Sequence, residues 1–151
     1  IAFATGHSSP AESLLMAQAA HDMGFKKCII THPNTLIWKM TTAQLEKAAS
    51  LGAWIEFCYL GRFWGEDSAM PDYPRQSLQE ATAILRVAPE QTFITTDLGQ
   101  VGMPRPVEGM RLARNELLKA GFDSSSLRSM LCSVPSYLIG LDKHMSRRLY
   151  G

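Results

Sequence analysis

The sequence has little net charge, no long apolar run and few cysteines. Its 15 basic and 14 acidic residues give a net charge of +1, which leaves no electrostatic footprint for nucleic acid or an anionic membrane. The apolar runs span only a few residues, far fewer than the roughly 20 that cross a bilayer. No signal-peptide pattern or polybasic run is seen. We therefore expect a soluble protein whose partners include neither nucleic acid nor membrane.

Cysteine usage points to a reducing compartment. Cys28, Cys58 and Cys132 are odd in number and widely spaced, which fits neither a disulfide scaffold nor a CxxC site. A cytoplasmic protein is the expectation. The length of 151 residues and the hydrophobic fraction of 46% are typical of one folded domain.

Short β-rich runs alternate with helical stretches four times along the chain. The runs at residues 1–5, 27–31, 53–59 and 92–96 are predicted strands. Ser9-Pro10 and Thr41, each followed by Glu or Gln three residues after the cap, predict helix starts with capping boxes. Strand starts about 25 to 40 residues apart predict parallel βα units and an α/β fold.

Three of the four predicted strands end in a potential metal ligand, namely His7, His32 and Asp97. The carboxyl ends of parallel strands converge on one face of such folds, so residues at these positions become neighbours. Two imidazoles and a carboxylate suit zinc, or manganese, iron or cobalt. Taken singly, each residue also has a plain structural explanation in a helix start or turn. Their coincidence at equivalent strand ends favours a site, whereas His21 and His144 are interpreted as surface or packing residues.

The order and spacing of these motifs carry a family resemblance. Thr-Gly-His7, Ile-Thr-His32-Pro and Thr-Thr-Asp97-Leu-Gly resemble strands five, six and eight of the amidohydrolase superfamily. Residues 130–141 resemble the closing helix of that superfamily, with Val-Pro-Ser where Asn-Pro-Ala is usual. The stretch 109–141 is similar to the end of phosphotriesterase-like and related metal-dependent hydrolases.

The resemblance implies that residues 1–141 are the C-terminal half, strands 5–8, of a (β/α)8 TIM barrel, with 142–151 as a peripheral tail. The His-x-His pair that the family carries on its first strand occurs nowhere in this sequence. A complete barrel takes about 250 residues. The expected chain is therefore a fragment, a processed chain, or one whose N-terminal half-barrel is supplied elsewhere or replaced by an oligomer partner.

The activity that the resemblance implies is that of a metal-dependent hydrolase with one or two divalent ions. His7 and His32 would hold the second ion of a binuclear centre, or His7 the single ion of a mononuclear one. Asp97 would be a metal ligand and would accept the proton of the attacking water. A metal-bound water would attack an amide, ester, lactone or phosphoester in a small-molecule substrate.

Four further residues are candidates for substrate binding: Glu56, Arg62, Gln100 and Arg105. Glu56 shares a strand face with Trp54 and Cys58, where an unpaired carboxylate needs a partner. The two arginines follow predicted strands and could grip an anionic group, although solvated surface arginine is the commoner outcome. Each of the four also has a structural explanation.

Other functions stay open at this point. A decarboxylase or lyase on the same scaffold would use the same ligands, and a non-catalytic α/β module that binds a small ligand would use no metal. Trp64 and Tyr73, in the long loop after the third strand, are interpreted as a lid, and Trp38 as a packing residue.

Overall fold

Four strands and the helices between them follow one another in the predicted order. The computed structural model describes residues 1–141, and the tail expected at 142–151 lies outside them. The strands are β1 (Phe3–Ala4), β2 (Cys28–Ile30), β3 (Trp54–Cys58) and β4 (Thr92–Thr95). The longer helices are α1 (Pro10–Asp22), α2 (Thr42–Ser50), α3 (Leu78–Leu85) and α4 (Pro106–Lys119). Two short helices, α5 (Ser124–Arg128) and α6 (Val134–Leu138), end the described chain.

Capping chemistry sets where the helices begin. The side chains of Ser9, Thr41 and Ser77 each accept the backbone N–H three residues later, and the Glu or Gln there bonds back to the cap. These three capping boxes satisfy backbone donors that a helix start leaves open. After α1 the chain turns at Gly24, whose φ of +70° suits a residue without a Cβ.

The sheet is parallel throughout, with the strands in the sequential order β1-β2-β3-β4. Helices α1 to α4 all cover one side of it, which we call the outer face. Their apolar residues pack there against alternate strand residues: Cys28, Ile30, Ile55, Phe57 and Ile94. The prediction of an α/β protein built from parallel βα units is confirmed.

The opposite side, the inner face, carries the other strand residues: Ile29, Trp54, Glu56, Cys58, Phe93 and Thr95. Helix α6 covers the amino-terminal part of this face, where Val134 and Leu138 pack against Phe93. A π-helical segment, Ser129–Ser133, directly precedes α6. Pro135 lacks an N–H and cannot make the regular helical bond, which accounts for the irregular turn before it. Among the described residues, no helix has the length and apolar character needed to cross a bilayer.

Candidate functional site at the carboxyl ends of the strands

The ends of β1 and β2 run side by side beyond the strands themselves. Two threonine side chains extend the pairing, because the N–H of Thr31 donates to Thr5 Oγ1 at 3.1 Å and the N–H of Gly6 donates to Thr31 Oγ1 at 3.0 Å. A histidine follows directly in both segments, after Gly6 in the first and after Thr31 in the second. His7 and His32 therefore become neighbours although 25 positions separate them in sequence.

The two imidazoles point at each other through the same ring atom. His7 Nε2 lies 3.2 Å from His32 Nε2, with ring centroids 4.9 Å apart. His32 is buried, with 8% of its surface exposed, whereas His7 is exposed. Trp38 stacks on the His7 ring at 4.3 Å between centroids and meets His32 edge-on at 5.4 Å. The indole therefore forms one wall of the imidazole pair.

Backbone strain marks two of the three predicted ligands. Among residues 1–141, His32 and Asp97 are the only non-glycine residues with positive φ, at 25° and 48°. Aspartate and histidine are the residue types, with asparagine, that tolerate the left-handed region best, but His32 also precedes Pro33, which disfavours α-type backbone at the residue before it. Sparsely populated backbone conformations cluster at functional sites, where the surrounding structure holds them.

Glu56 sits between these strand ends on the inner face. Its Oε2 accepts the backbone N–H of His32 at 3.3 Å, and its Oε1 accepts the Thr95 hydroxyl at 3.0 Å. The half-buried carboxylate thus has a donor on each oxygen, which meets the need for partners that the sequence indicates.

Asp97 follows β4 and is exposed. The turn that carries it is closed by Gln100, whose Nε2 donates to the Asp97 carbonyl at 2.9 Å and whose Oε1 accepts the N–H of Gly99 at 3.1 Å. Burial raises the pKa of the nearby Cys58 thiol to about 12, and the charges of Asp97 and Glu56 add to that rise. Cys58 therefore stays a neutral thiol beside the two carboxylates.

The imidazole pair fits two ligands of one divalent ion. Two nitrogens at about 2.05 Å from a tetrahedral zinc would be separated by about 3.3 Å, close to the 3.2 Å between the Nε2 atoms. Within residues 1–141, no group of three or more His, Cys, Asp or Glu side chains is arranged to hold a metal. The described chain thus brings His7 and His32 together, and it leaves Asp97 on the same edge of the sheet without joining it to them.

Of the two predicted substrate-binding arginines, Arg62 is held by α4 and Arg105 is exposed. The Arg62 guanidinium bonds both carboxylate oxygens of Glu116 on α4, and only 14% of its side chain is exposed. Arg105 is exposed at the residue before α4. Trp64, expected in a lid, is 5% exposed and packs with Cys58 and Leu98. Its ring lies 4.9 Å from that of Tyr73, so it anchors the loop to the protein core.

Sequence reasoning missed Thr95 and undervalued Trp38. Thr95 lies two residues before Asp97 on β4, and period-two alternation places it on the inner face opposite Cys58. The alternation of side chains along β4 could therefore have predicted Thr95 as an inner-face residue. Trp38 belongs to a 3-10 turn, Leu36–Trp38, and no periodic pattern indicates where such a side chain points.

Residues 1–56 match the model of a family of unknown function, DUF6282. The matched segment extends from β1 into β3 and includes His7, His32 and Glu56. No curated protein and no solved structure matches the chain.

Proposed function

We propose that this protein is a metal-dependent hydrolase of the amidohydrolase type. His7 and His32 would hold a divalent ion, zinc first and manganese, iron or cobalt as alternatives, and Asp97 would complete the site. The proposal rests on one observation: the two Nε2 atoms meet at 3.2 Å on the carboxyl edge of a parallel sheet. Active sites of parallel α/β folds lie on that edge.

Each residue has a definite task under this proposal. The ion, when bound, supplies Lewis acidity that lowers the pKa of water and polarises a carbonyl or phosphoryl oxygen. Asp97, exposed at the end of β4, accepts on its carboxylate the proton of the water that attacks an amide, ester, lactone or phosphoester. Trp38 keeps the His7 ring in place by stacking on it. Metal binding by the two histidines and proton acceptance by Asp97 would thus come from the ends of three strands.

The same proposal extends to the fold. We infer that the four βα units form half of a (β/α)8 barrel, because the strands are in sequential order and helices α1 to α4 share one face. Both β1 and β4 are edge strands of this sheet. An apolar depression beside β1, formed in part by Phe3, Met16 and Met23, is the surface that another βα unit would cover. That unit would come from an N-terminal half-barrel or an oligomer partner.

Metal binding tests the site directly. Isothermal titration of the protein with zinc should show at least one bound ion, and His7→Ala and His32→Ala should each weaken binding by about 100-fold or more. His21→Ala is the matched control, because His21 lies on α1 and bonds the Leu51 carbonyl. Binding of less than about 0.2 equivalents, or an equal loss in the His21 variant, would overturn the assignment.

Reaction class needs a separate measurement. The zinc-loaded protein should hydrolyse a member of a panel of amides, esters, lactones and phosphoesters, and the product should carry oxygen-18 from labelled water. Asp97→Asn should bind zinc more weakly, because it loses a proposed carboxylate ligand, and even at saturating zinc it should lose turnover by about 100-fold or more, since the amide cannot accept the proton. Turnover without label would replace hydrolysis by the lyase or decarboxylase alternative.

A further inference from the structure

We propose that Glu56 is a positioning residue whose carboxylate holds the main chain of His32 in the conformation that presents its imidazole to His7. The metal-binding part of this inference rests on the proposed function. The hydrogen-bonding part rests only on the structure.

Glu56 is placed to connect three strand ends at once. It lies on β3, between β2 and β4 in the sheet. One oxygen bonds the N–H of His32 just beyond β2, and the other bonds the hydroxyl of Thr95 at the end of β4. Because each oxygen accepts a donor from a different neighbouring strand end, the carboxylate is placed to position those ends relative to one another.

The main chain of His32 contributes to holding its ring because one of the two ring nitrogens has no partner. A metal-binding histidine usually donates its second ring nitrogen to an acceptor, which sets the orientation of the ring. In the described chain the buried Nδ1 of His32 has no hydrogen-bond partner. Besides the contacts of the ring with His7 and Trp38, its direction depends on the backbone at φ +25°, and Glu56 accepts the N–H of that residue.

Two variants separate the hydrogen bond from the charge. Glu56→Gln keeps an acceptor for the His32 N–H and offers an amide donor to the Thr95 oxygen. Glu56→Ala removes both bonds, and Glu56→Asp, which withdraws the carboxylate by one methylene, serves if the alanine variant does not fold. Glu80→Ala is the matched control, because Glu80 makes similar bonds to Ser77 at the start of α3.

The first readout is hydrogen exchange of the His32 amide, measured by NMR without metal. Glu56→Ala or Glu56→Asp should speed this exchange at least about tenfold, whereas Glu56→Gln and Glu80→Ala should leave it within about threefold of wild type. An unchanged His32 exchange rate in a folded alanine or aspartate variant would overturn the proposal.

The second readout is cobalt(II) binding, followed by its visible absorption. The alanine or aspartate variant should bind about 10- to 100-fold more weakly, with rescue in Glu56→Gln. Equal loss in Glu56→Gln would assign the effect to charge and overturn positioning. If the wild-type protein binds no cobalt, the proposed function fails, and the exchange experiment still decides the role of Glu56.

Discussion

Replacing Glu116 by alanine should destabilise the protein substantially, because this carboxylate serves two partners. Tyr59 donates its hydroxyl to Glu116 Oε2 at 2.6 Å, and Arg62 bonds Oε1 at 3.1 Å and Oε2 at 3.3 Å. Tyr59 is 1% exposed, and Glu116 is the acceptor of its hydroxyl. The cluster ties α4 to the turn that follows β3.

The magnitude follows from the burial of each partner. A buried hydroxyl left without its partner costs about 1–3 kcal/mol. The Arg62 pair contributes less than a fully buried one, because 40% of the Glu116 side chain is exposed and Arg62 also bonds the Gln76 carbonyl; about 1 kcal/mol is reasonable. Together these give a loss of about 3 kcal/mol in the free energy of unfolding.

Urea unfolding measures this loss. With a slope of about 2 kcal/mol per molar urea, the midpoint should fall by about 1.5 M. Tyr59→Phe alone should cost about 1 kcal/mol, and the double variant should cost less than the sum because both changes remove the same bond. A loss below about 1 kcal/mol, or full additivity with Tyr59→Phe, would refute the reasoning. Zinc affinity should not change, since the cluster touches neither imidazole.

Two further predictions concern pH and packing. Burial alone would raise the pKa of Glu116, but bonds from Arg62 and Tyr59 and the charge of Arg62 hold it below its usual value; burial and the bond to Glu116 raise the pKa of Tyr59. The stability from Glu116 is therefore present above its unfolded pKa and lost as pH falls below about 4.5, while that from Tyr59 is lost as pH rises above about 10. Urea midpoints should fall at both ends of this range in wild type, and both falls should be smaller in Glu116→Ala, where burial still raises the pKa of Tyr59 but its bond to Glu116 is gone. Gly109→Ala should lower the thermal midpoint despite alanine's helix propensity, because its Cβ would lie 2.1 Å from Leu98 Cδ1, and overpacking of about 1–3 kcal/mol outweighs a gain of about 1. A higher midpoint in Gly109→Ala would contradict this.

Local chemistry made much of the fold predictable from the sequence. Capping boxes at Ser9 and Thr41 need only residues three positions apart, and both form as predicted. Period-two alternation places Glu56 with Trp54 on the inner face, and the register with β2 and β4 agrees. The meeting of His7 with His32 follows from the general rule that parallel strands end at one edge.

What the sequence could not indicate depends on distant contacts or irregular backbone. Arg62 and Glu116 are 54 positions apart, and no local pattern links them. Trp38 reaches His7 from a 3-10 turn, whose side-chain directions have no simple period. The expectation that Trp64 belongs to a lid did not consider the large apolar surface of its indole. That surface packs against Cys58 and Leu98 in the core.

The energetics of His32 show that the imidazole pair depends on the carboxylate of Glu56. A strained backbone such as that of His32 costs about 1–3 kcal/mol, whereas a neutral hydrogen bond between two rings returns only about 0.5–1.5 kcal/mol net. The pair alone therefore does not offset the strain. The bond from His32 to the Glu56 carboxylate is 3.3 Å long and adds up to about 1.5 kcal/mol, so that the two bonds together balance the strain. The fold therefore holds His32 in a rare backbone conformation through the half-buried carboxylate of Glu56, and removing that carboxylate should release the strained backbone, which faster exchange of the His32 amide would report.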